Sequence, residues 1–418
     1  MSGFALFSMF FGAGNLILPP FLGFKAGSDW LWVALGFAIT AVFIPLLGIL
    51  AHARLQGTMY DFGKKVAPAF SLIYCLIVYS ISVALPAPRT ASVTHEMAIA
   101  PFFGTSALST STIYFVLVFI FVMNRSKILS LIGKYLTPLI VVILLAIIVI
   151  SLGSSTPLQN PSVFQTPVVD GLLEGYQTFD AIGAVVVGAV VIISLQLRGH
   201  ESYEAKKELI TKSGFIAGAG LFIIYSGMIL SGSLFNMSFD AEATRTEVLT
   251  GLSTITLGNF GTTSLSVLVA LACFTTAVGI ITGTADYFKG LFKDSQLAYT
   301  LTAVLGCVIG VAVGQFDVHY IIDVALPALM FIYPITIVLI VLNVMPEKYT
   351  SSLVFRMVVL VTFIFSIPDF LKFIIDPMKL QSISELIPLS KYSLGWVVPA
   401  LLTFVLVNMI SRKKLLES

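Results

Sequence analysis

Phe11-Gly12-Ala13-Gly14-Asn15-Leu16-Ile17-Leu18-Pro19-Pro20 lies inside an apolar run that spans residues 4 to 24. Two glycines, an asparagine and two prolines each weaken a helix, and together they predict a hydrogen-bond ladder open for about one turn. About ten residues precede Gly12, and at ~1.5 Å each they climb roughly 15 Å, half the hydrocarbon thickness of a bilayer. The break therefore falls at mid-membrane, where bare backbone is tolerated only if it lines a cavity. Its free N–H groups would suit a carboxylate and its free carbonyls a cation. The simpler alternative is that the glycines permit close helix packing and the prolines kink the second half of the run.

The rest of the chain fits a membrane setting. Of its 418 residues 57% are hydrophobic and only 11% charged, against about 25% charged in soluble domains, so lipid must solvate most of its surface. Twelve apolar runs of membrane-crossing length lie at 4–24, 30–52, 69–94, 107–123, 135–153, 171–196, 213–235, 263–288, 297–315, 319–343, 353–375 and 393–411. They predict an all-α polytopic membrane protein of twelve transmembrane helices, numbered here as spans 1 to 12. The first charged side chain is Lys25, so span 1 lacks the basic start of a secretory signal and reads as a mature membrane helix. Most of the Lys and Arg fall in the connections from even to odd spans and in the C-terminal tail, which predicts both termini on the cytoplasmic side of the cell membrane. A formal charge of +2 with no basic stripe excludes a nucleic-acid partner. Cys75, Cys273 and Cys307 sit within apolar runs and outline neither a disulfide framework nor a metal site.

The longest connections, 154–170, 197–212 and 236–262, are too short for a folded domain. No Gly-x-x-x-x-Gly-Lys-Ser/Thr loop occurs, which argues for a gradient as the energy source and against ATP. Spans 1 to 5 (residues 1–154) and 6 to 10 (171–343) are units of similar length, each opening with an interrupted helix, and spans 11 and 12 (353–411) follow as extra C-terminal helices. An odd number of spans per unit reverses the second in the membrane, giving a five-plus-five inverted repeat. Twelve spans also suit a channel or a membrane enzyme. A channel needs a continuous polar lining, for which few side chains are available. The enzyme class fails because His95-Glu96 and His200-Glu201 lack the second histidine of a zinc-protease helix and no Gly-x-Ser-x-Gly elbow occurs.

Three further sets of residues could carry chemistry. Span 6 holds Tyr176-Gln177-Thr178-Phe179-Asp180-Ala181-Ile182-Gly183. A carboxylate at that depth costs roughly 2.5 to 3.5 kcal/mol and must face a partner or water. It could cap a second broken helix, ligate a cation, contact a substrate ammonium, or simply bond a neighbouring helix. Thr275 and Thr276 near the middle of span 8 offer neutral oxygens suited to a monovalent cation, although such hydroxyls usually bond their own helix. Arg89 is about 20 residues, roughly 30 Å, along span 3, and Asp323 about one turn into span 10. A shared depth would make them an extracellular gate, and the alternative for Arg89 is an arginine snorkelling to the interface.

Four of these stretches are recognisable together: Phe10 to Pro20, Pro88-Arg89-Thr90-Ala91, Gly175 to Ala181, and Thr275-Thr276-Ala277-Val278-Gly279. The chain resembles, over essentially its whole length, the branched-chain amino acid carriers, the leucine, isoleucine and valine:cation symporters of bacteria. That family is placed in the amino acid-polyamine-organocation superfamily with the leucine-transporter fold. The resemblance implies a substrate at the breaks of spans 1 and 6, among Gly12, Ala13, Gly14, Asn15, Thr178, Phe179 and Asp180, with the carboxylate on the N–H groups of Gly12, Ala13 and Gly14. Asn15 matches a residue that ligates an ion in the neurotransmitter:sodium branch. The resemblance also implies a Na+ site of carbonyls from Ser8, Phe11 and Ala272 with hydroxyls from Thr275 and Thr276, H+ being the alternative coupling ion, and no organic cofactor. One departure is that the chain enters the bilayer almost at once, without a cytoplasmic segment before span 1. The expected activity is import of leucine, isoleucine or valine with a cation across the bacterial inner membrane.

Overall fold

The structure is a computed structural model that describes residues 12, 15–124, 127–154, 161–186, 188 and 202–416. Ser8, Phe11, Ala13 and Gly14 lie outside the described residues. Within them the chain is mostly helical, with no strand. Nine helices among the described residues are long and apolar enough to cross a membrane, and Val397–Ser411 is a shorter apolar helix.

The span boundaries follow the sequence closely where punctuation is strong. Leu18–Ala26 is the second part of span 1, and Pro19 and Pro20 sit in its first turn, where a missing N–H costs nothing and a fixed φ favours the helix. The two prolines therefore start this helix and do not kink it. Spans 4, 9, 10 and 11 run Ala107–Asn124, Gln296–Gly314, Val318–Val344 and Ser352–Leu371. Serine or aspartate caps the last three, Ser295, Asp317 and Ser351 each accepting a backbone N–H. Span 2 holds a π-helical turn at Ile39–Phe43 between Trp30–Ala38 and Ile44–Leu55.

The connection 236–262 contains a helix. Thr244 accepts from the Glu247 N–H while the Glu247 carboxylate accepts from the Thr244 N–H, a reciprocal cap that starts a helix at Arg245. This helix meets span 8 at Gly258, whose φ of 68° is open to glycine at little cost.

Spans 2, 3, 6, 10 and 11 share one core, which includes Tyr176, Tyr333 and Phe355. A second holds Leu16, Phe37, Leu221 and Tyr225 of spans 1, 2 and 7, and a third joins spans 3, 4, 8 and 9 around Phe115 and Val118. Span 10 is 67% buried along its most apolar stretch and spans 4 and 9 only 33%, so span 10 is central and the other two are peripheral. Ile113, Val149, Phe215, Leu305 and Leu401 stand exposed on the outside, as a lipid-facing surface requires.

Two helix crossings are unusually close. An added Cβ at Gly23 of span 1 would lie 1.7 Å from the carbonyl oxygen of Ile229 in span 7, and one at Gly232 of span 7 would lie 2.0 Å from that of Pro20. Span 6 meets span 2 in the same reciprocal way, with Gly36 against Val168 O at 1.9 Å and Gly171 against Val33 O at 2.2 Å. A hydroxyl fastens each crossing. Ser233 donates to Gly27 O at 2.5 Å, and Thr40, placed by the π-helical turn, donates to Leu172 O at 2.7 Å.

Candidate functional site

Asn15 of span 1 and the Gln177–Asp180 stretch of span 6 meet at one buried cluster. On span 1, Gly12 is outside any helix, the Asn15 N–H donates to its carbonyl at 2.9 Å, and regular helix begins at Leu18. On span 6, Pro167–Glu174 tightens into a 3-10 turn over Gly175–Thr178 and Phe179 takes a left-handed φ of 59°, after which 180–186 is helical. A bulky residue in that conformation is uncommon. The expectation of a second broken helix at Asp180 matches this geometry.

Three side chains link the breaks. The Asn15 amide donates to the Asp180 carboxyl at 2.8 Å, and Arg89 donates to the Asn15 side-chain oxygen at 3.0 Å and to the Gln177 carbonyl at 2.7 Å. The Asp180 N–H is received by the Thr178 hydroxyl at 3.2 Å, and Tyr225 of span 7 donates to the second Asp180 oxygen at 3.4 Å. The Arg89 guanidinium also lies 5.4 Å from the centre of the Phe179 ring. All are buried, Arg89 at 3% exposure and Asp180 at 5%. This buried ionisable pair is tied down by hydrogen bonds through Asn15, Gln177 and Tyr225, and each group would be costly alone.

A cavity of about 170 Å³ opens beside this cluster, lined by Gly12, Asn15, Arg89, Thr178, Phe179 and Asp180 together with span 3 and span 8 residues that include Tyr79, Thr276, Gly279 and Gly283. Its volume suits a small solute. Arg89 is the single cation and Asp180 the single anion among the described residues that line it. Thus Gly12, Asn15, Thr178, Phe179 and Asp180 come together, while Ala13 and Gly14 lie outside the described residues.

The expected gate is corrected. Arg89 is buried at the breaks, whereas Asp323 has a side chain 53% exposed and pairs with His319 at 3.4 Å. The count along span 3 misled because that span does not stop at residue 94. It bends at Leu85–Pro86 and runs on through a π-helical turn to Ile99, which leaves Arg89 well short of the far end. A charge that meets span 10 near Asp323 is Arg245, which donates to His319 at 2.9 Å, lies 3.6 Å from Glu174 at the end of span 6's first helix, and packs over the Phe21 ring at 4.6 Å. Nothing singled out Arg245 in the sequence except the Thr244-x-x-Glu247 cap beside it.

Of the expected ion ligands, Ser8 and Phe11 lie outside the described residues. Thr275 and Thr276 both donate to the Ala272 carbonyl at 2.9 Å, the ordinary bonding of a hydroxyl to its own helix. Their lone pairs stay available, but the Ala272 carbonyl already accepts two hydrogen bonds. Thr276 faces the cavity. Among the described residues no group of three or more His, Cys, Asp or Glu could hold a metal.

A family described as branched-chain amino acid transport protein matches residues 1–414. The branched-chain amino acid permease BraB of Bacillus subtilis (strain 168) is 31% identical, with 97% of this chain and 93% of that protein covered. A putative branched-chain amino acid carrier protein of Staphylococcus aureus (strain USA300) is 33% identical over 97% of this chain and 94% of its own length. In fold, the chain is similar to the inward-facing conformation of Mhp1, with a TM-score of 0.60 at 12% identity over 99% of this chain and 90% of that one. It is also similar to MhsT in complex with L-phenylalanine, with a TM-score of 0.57 at 16% identity over 98% of both chains.

Proposed function

The chain belongs to the branched-chain amino acid transport protein family, a family of transporters and not of enzymes, and from that premise we propose that it imports leucine, isoleucine or valine with a cation by alternating access. The observation that carries the reading is the meeting of two helix breaks, through Asn15 and Asp180, at the wall of a solute-sized cavity. The solute binds with its charged groups at the breaks, among Gly12, Ala13, Gly14, Asn15, Thr178, Phe179 and Asp180, and its branched side chain along spans 3 and 8.

The five-plus-five inverted repeat is supported by pairings that exchange when spans 1 to 5 are swapped for 6 to 10. Span 1 packs on 7 as span 6 packs on 2, span 2 packs on 10 as span 7 packs on 5, and spans 3 with 8 and 4 with 9 are self-matched. Both termini are cytoplasmic, by the distribution of Lys and Arg. The coupling ion is Na+, held by the Thr275 and Thr276 hydroxyls with carbonyls from Ser8, Phe11 and Ala272. Two hydroxyls with free lone pairs are the support for this site.

The experiment is leucine uptake into proteoliposomes under separately imposed Na+ and H+ gradients, with counterflow from vesicles preloaded with leucine. Uptake driven by Na+ and stimulated by exchange is expected, and flux without exchange stimulation would point to a channel. Asp180→Asn should keep the fold and lose most uptake. Normal uptake by that variant at every leucine concentration would make the carboxyl a structural group. The Thr275→Ala/Thr276→Ala protein should bind leucine with a much weaker dependence on Na+, since linkage carries the lost ion affinity into substrate affinity. An unchanged dependence in the folded double variant would remove the ion site.

A further inference from the structure

Resting on that reading of the cavity, we propose that Arg89 of span 3 binds the substrate carboxylate directly, with Asp180 on the opposite charge, so that the site is built for a zwitterion. The resemblance places the carboxylate on backbone N–H groups of span 1 alone, and nothing in it assigns Arg89 to the substrate.

Four observations converge on Arg89. It lines the cavity. It is 97% buried, yet of its five N–H donors the described residues take up two, through Gln177 and Asn15. Its Nε is buried with no hydrogen-bond partner, an omission that costs about 1 to 3 kcal/mol in this conformation. Finally, both bonds it makes go to the edges of the two breaks, and these hold the guanidinium plane in one orientation beside the Phe179 ring. A fixed, planar, permanently charged fork with unspent donors matches a carboxylate better than any other small group.

Asp180 completes the pairing. Its two oxygens accept from Asn15 and Tyr225, and a carboxylate offers about four lone-pair sites, so room remains for an ammonium. Asn15 stands between them as a spacer, accepting from Arg89 and donating to Asp180. Cation and anion are thus held apart without collapsing into a direct ion pair, which is the condition for both to face a ligand. An α-amino acid presents both charges on one carbon and an apolar side chain beyond, in the same order as Arg89, Asp180 and the apolar wall of Tyr79, Ile182 and Ile280.

The competing role for Arg89 is a clamp that only ties span 3 to the breaks. Ligands that lack one charge separate the two. Binding of leucine and of 3-methylbutylamine, which is leucine without its carboxylate, is measured on the purified full chain for wild type, Arg89→Gln and Arg89→Lys. Wild type should prefer leucine strongly over the amine. Arg89→Gln should weaken leucine by about 10- to 100-fold, the worth of a charge-assisted hydrogen bond, and leave the amine nearly unchanged, so the preference collapses. Arg89→Lys keeps the charge without the fork and should restore part of it. Equal losses for both ligands in Arg89→Gln, or a preserved preference, would overturn the carboxylate role while leaving the transport reading intact. Should Arg89→Gln not yield folded protein, Arg89→Lys carries the same comparison, an undiminished preference overturning the fork. A folded wild type that binds no leucine would instead sink the substrate reading, and this inference with it.

Discussion

At the crossings of span 1 with span 7 and of span 2 with span 6, a Cβ added to glycine would fall 1.7 to 2.2 Å from a backbone carbonyl, whereas at Gly183, Gly279 and Gly283 on the cavity side it would meet nothing within 4 Å. One residue type serves opposite ends. At the crossings the missing side chain admits another backbone, which gives dispersion contact and Cα–H···O bonds where no hydrophobic effect drives helices together. In the cavity it keeps volume free for a ligand. The two crossings also differ from each other. Span 2 grips span 6 up to the break, since Gly175 abuts the Thr40 hydroxyl as well, while span 7 holds span 1 through Pro20 and Gly23, farther from Asn15. The break in span 6 is the more firmly anchored of the two.

The largest effect should come from Gly23→Ala and Gly36→Ala. Each clash is with backbone, which cannot rotate away, so a loss of at least about 3 kcal/mol, the upper end for overpacking, is expected as a large fall in apparent melting temperature in detergent. A harmless alanine at either position would show that the crossing is looser than described. Removing the hydroxyl fasteners should cost less. Thr40→Ala and Ser233→Ala each forfeit one interhelical hydrogen bond, about 0.6 to 1 kcal/mol, and Thr40→Ala should impair leucine binding more because its bond lies beside the break. Equal effects on binding would erase the proposed difference in anchoring. The smallest change in stability, and of opposite sign, belongs to Gly279→Ala and Gly283→Ala. Alanine is better than glycine in a helix interior by roughly 0.5 to 1 kcal/mol, so both proteins should melt slightly higher. Their new methyl groups enter the cavity, and leucine should bind less well than valine relative to wild type. A variant that melts lower would mean the wall is already packed.

Much of this was legible in the sequence because membrane helices advertise themselves. Span 4 was read as 107–123 and is Ala107–Asn124; span 10 was read as 319–343 and is Val318–Val344. Backbone buried in lipid forms either helices or closed barrels, and a continuous apolar run of about 20 residues suits only the helix. The meeting of Asn15 with Asp180 was legible for the converse reason, that polar groups at mid-span are too costly to be casual. Arg89 was misplaced because depth was counted along a straight, correctly terminated helix, and span 3 is neither. Arg245 escaped notice since its importance arises from Glu174, His319 and Phe21, which are distant in sequence. The crossing glycines carried no local signal at all: Gly23 and Gly36 look like any glycine in an apolar run until the facing backbone is known.

The bonds of Arg89 also bear on how the chain is made. Its partners are synthesised in two instalments, Asn15 before it and Gln177 well after. When the ribosome has delivered span 5, the arginine is already among apolar helices, but the carbonyl that receives its shorter bond and the carboxyl of Asp180 do not yet exist. An arginine at the centre of a membrane helix costs about 2.5 to 3.5 kcal/mol on the insertion scale, and Asn15 alone offsets only part of that. The nascent first half therefore holds a guanidinium without its Gln177 partner, and with no carboxylate near it, until span 6 arrives. A chain truncated after span 5 would be an intermediate under strain and not a miniature of the whole.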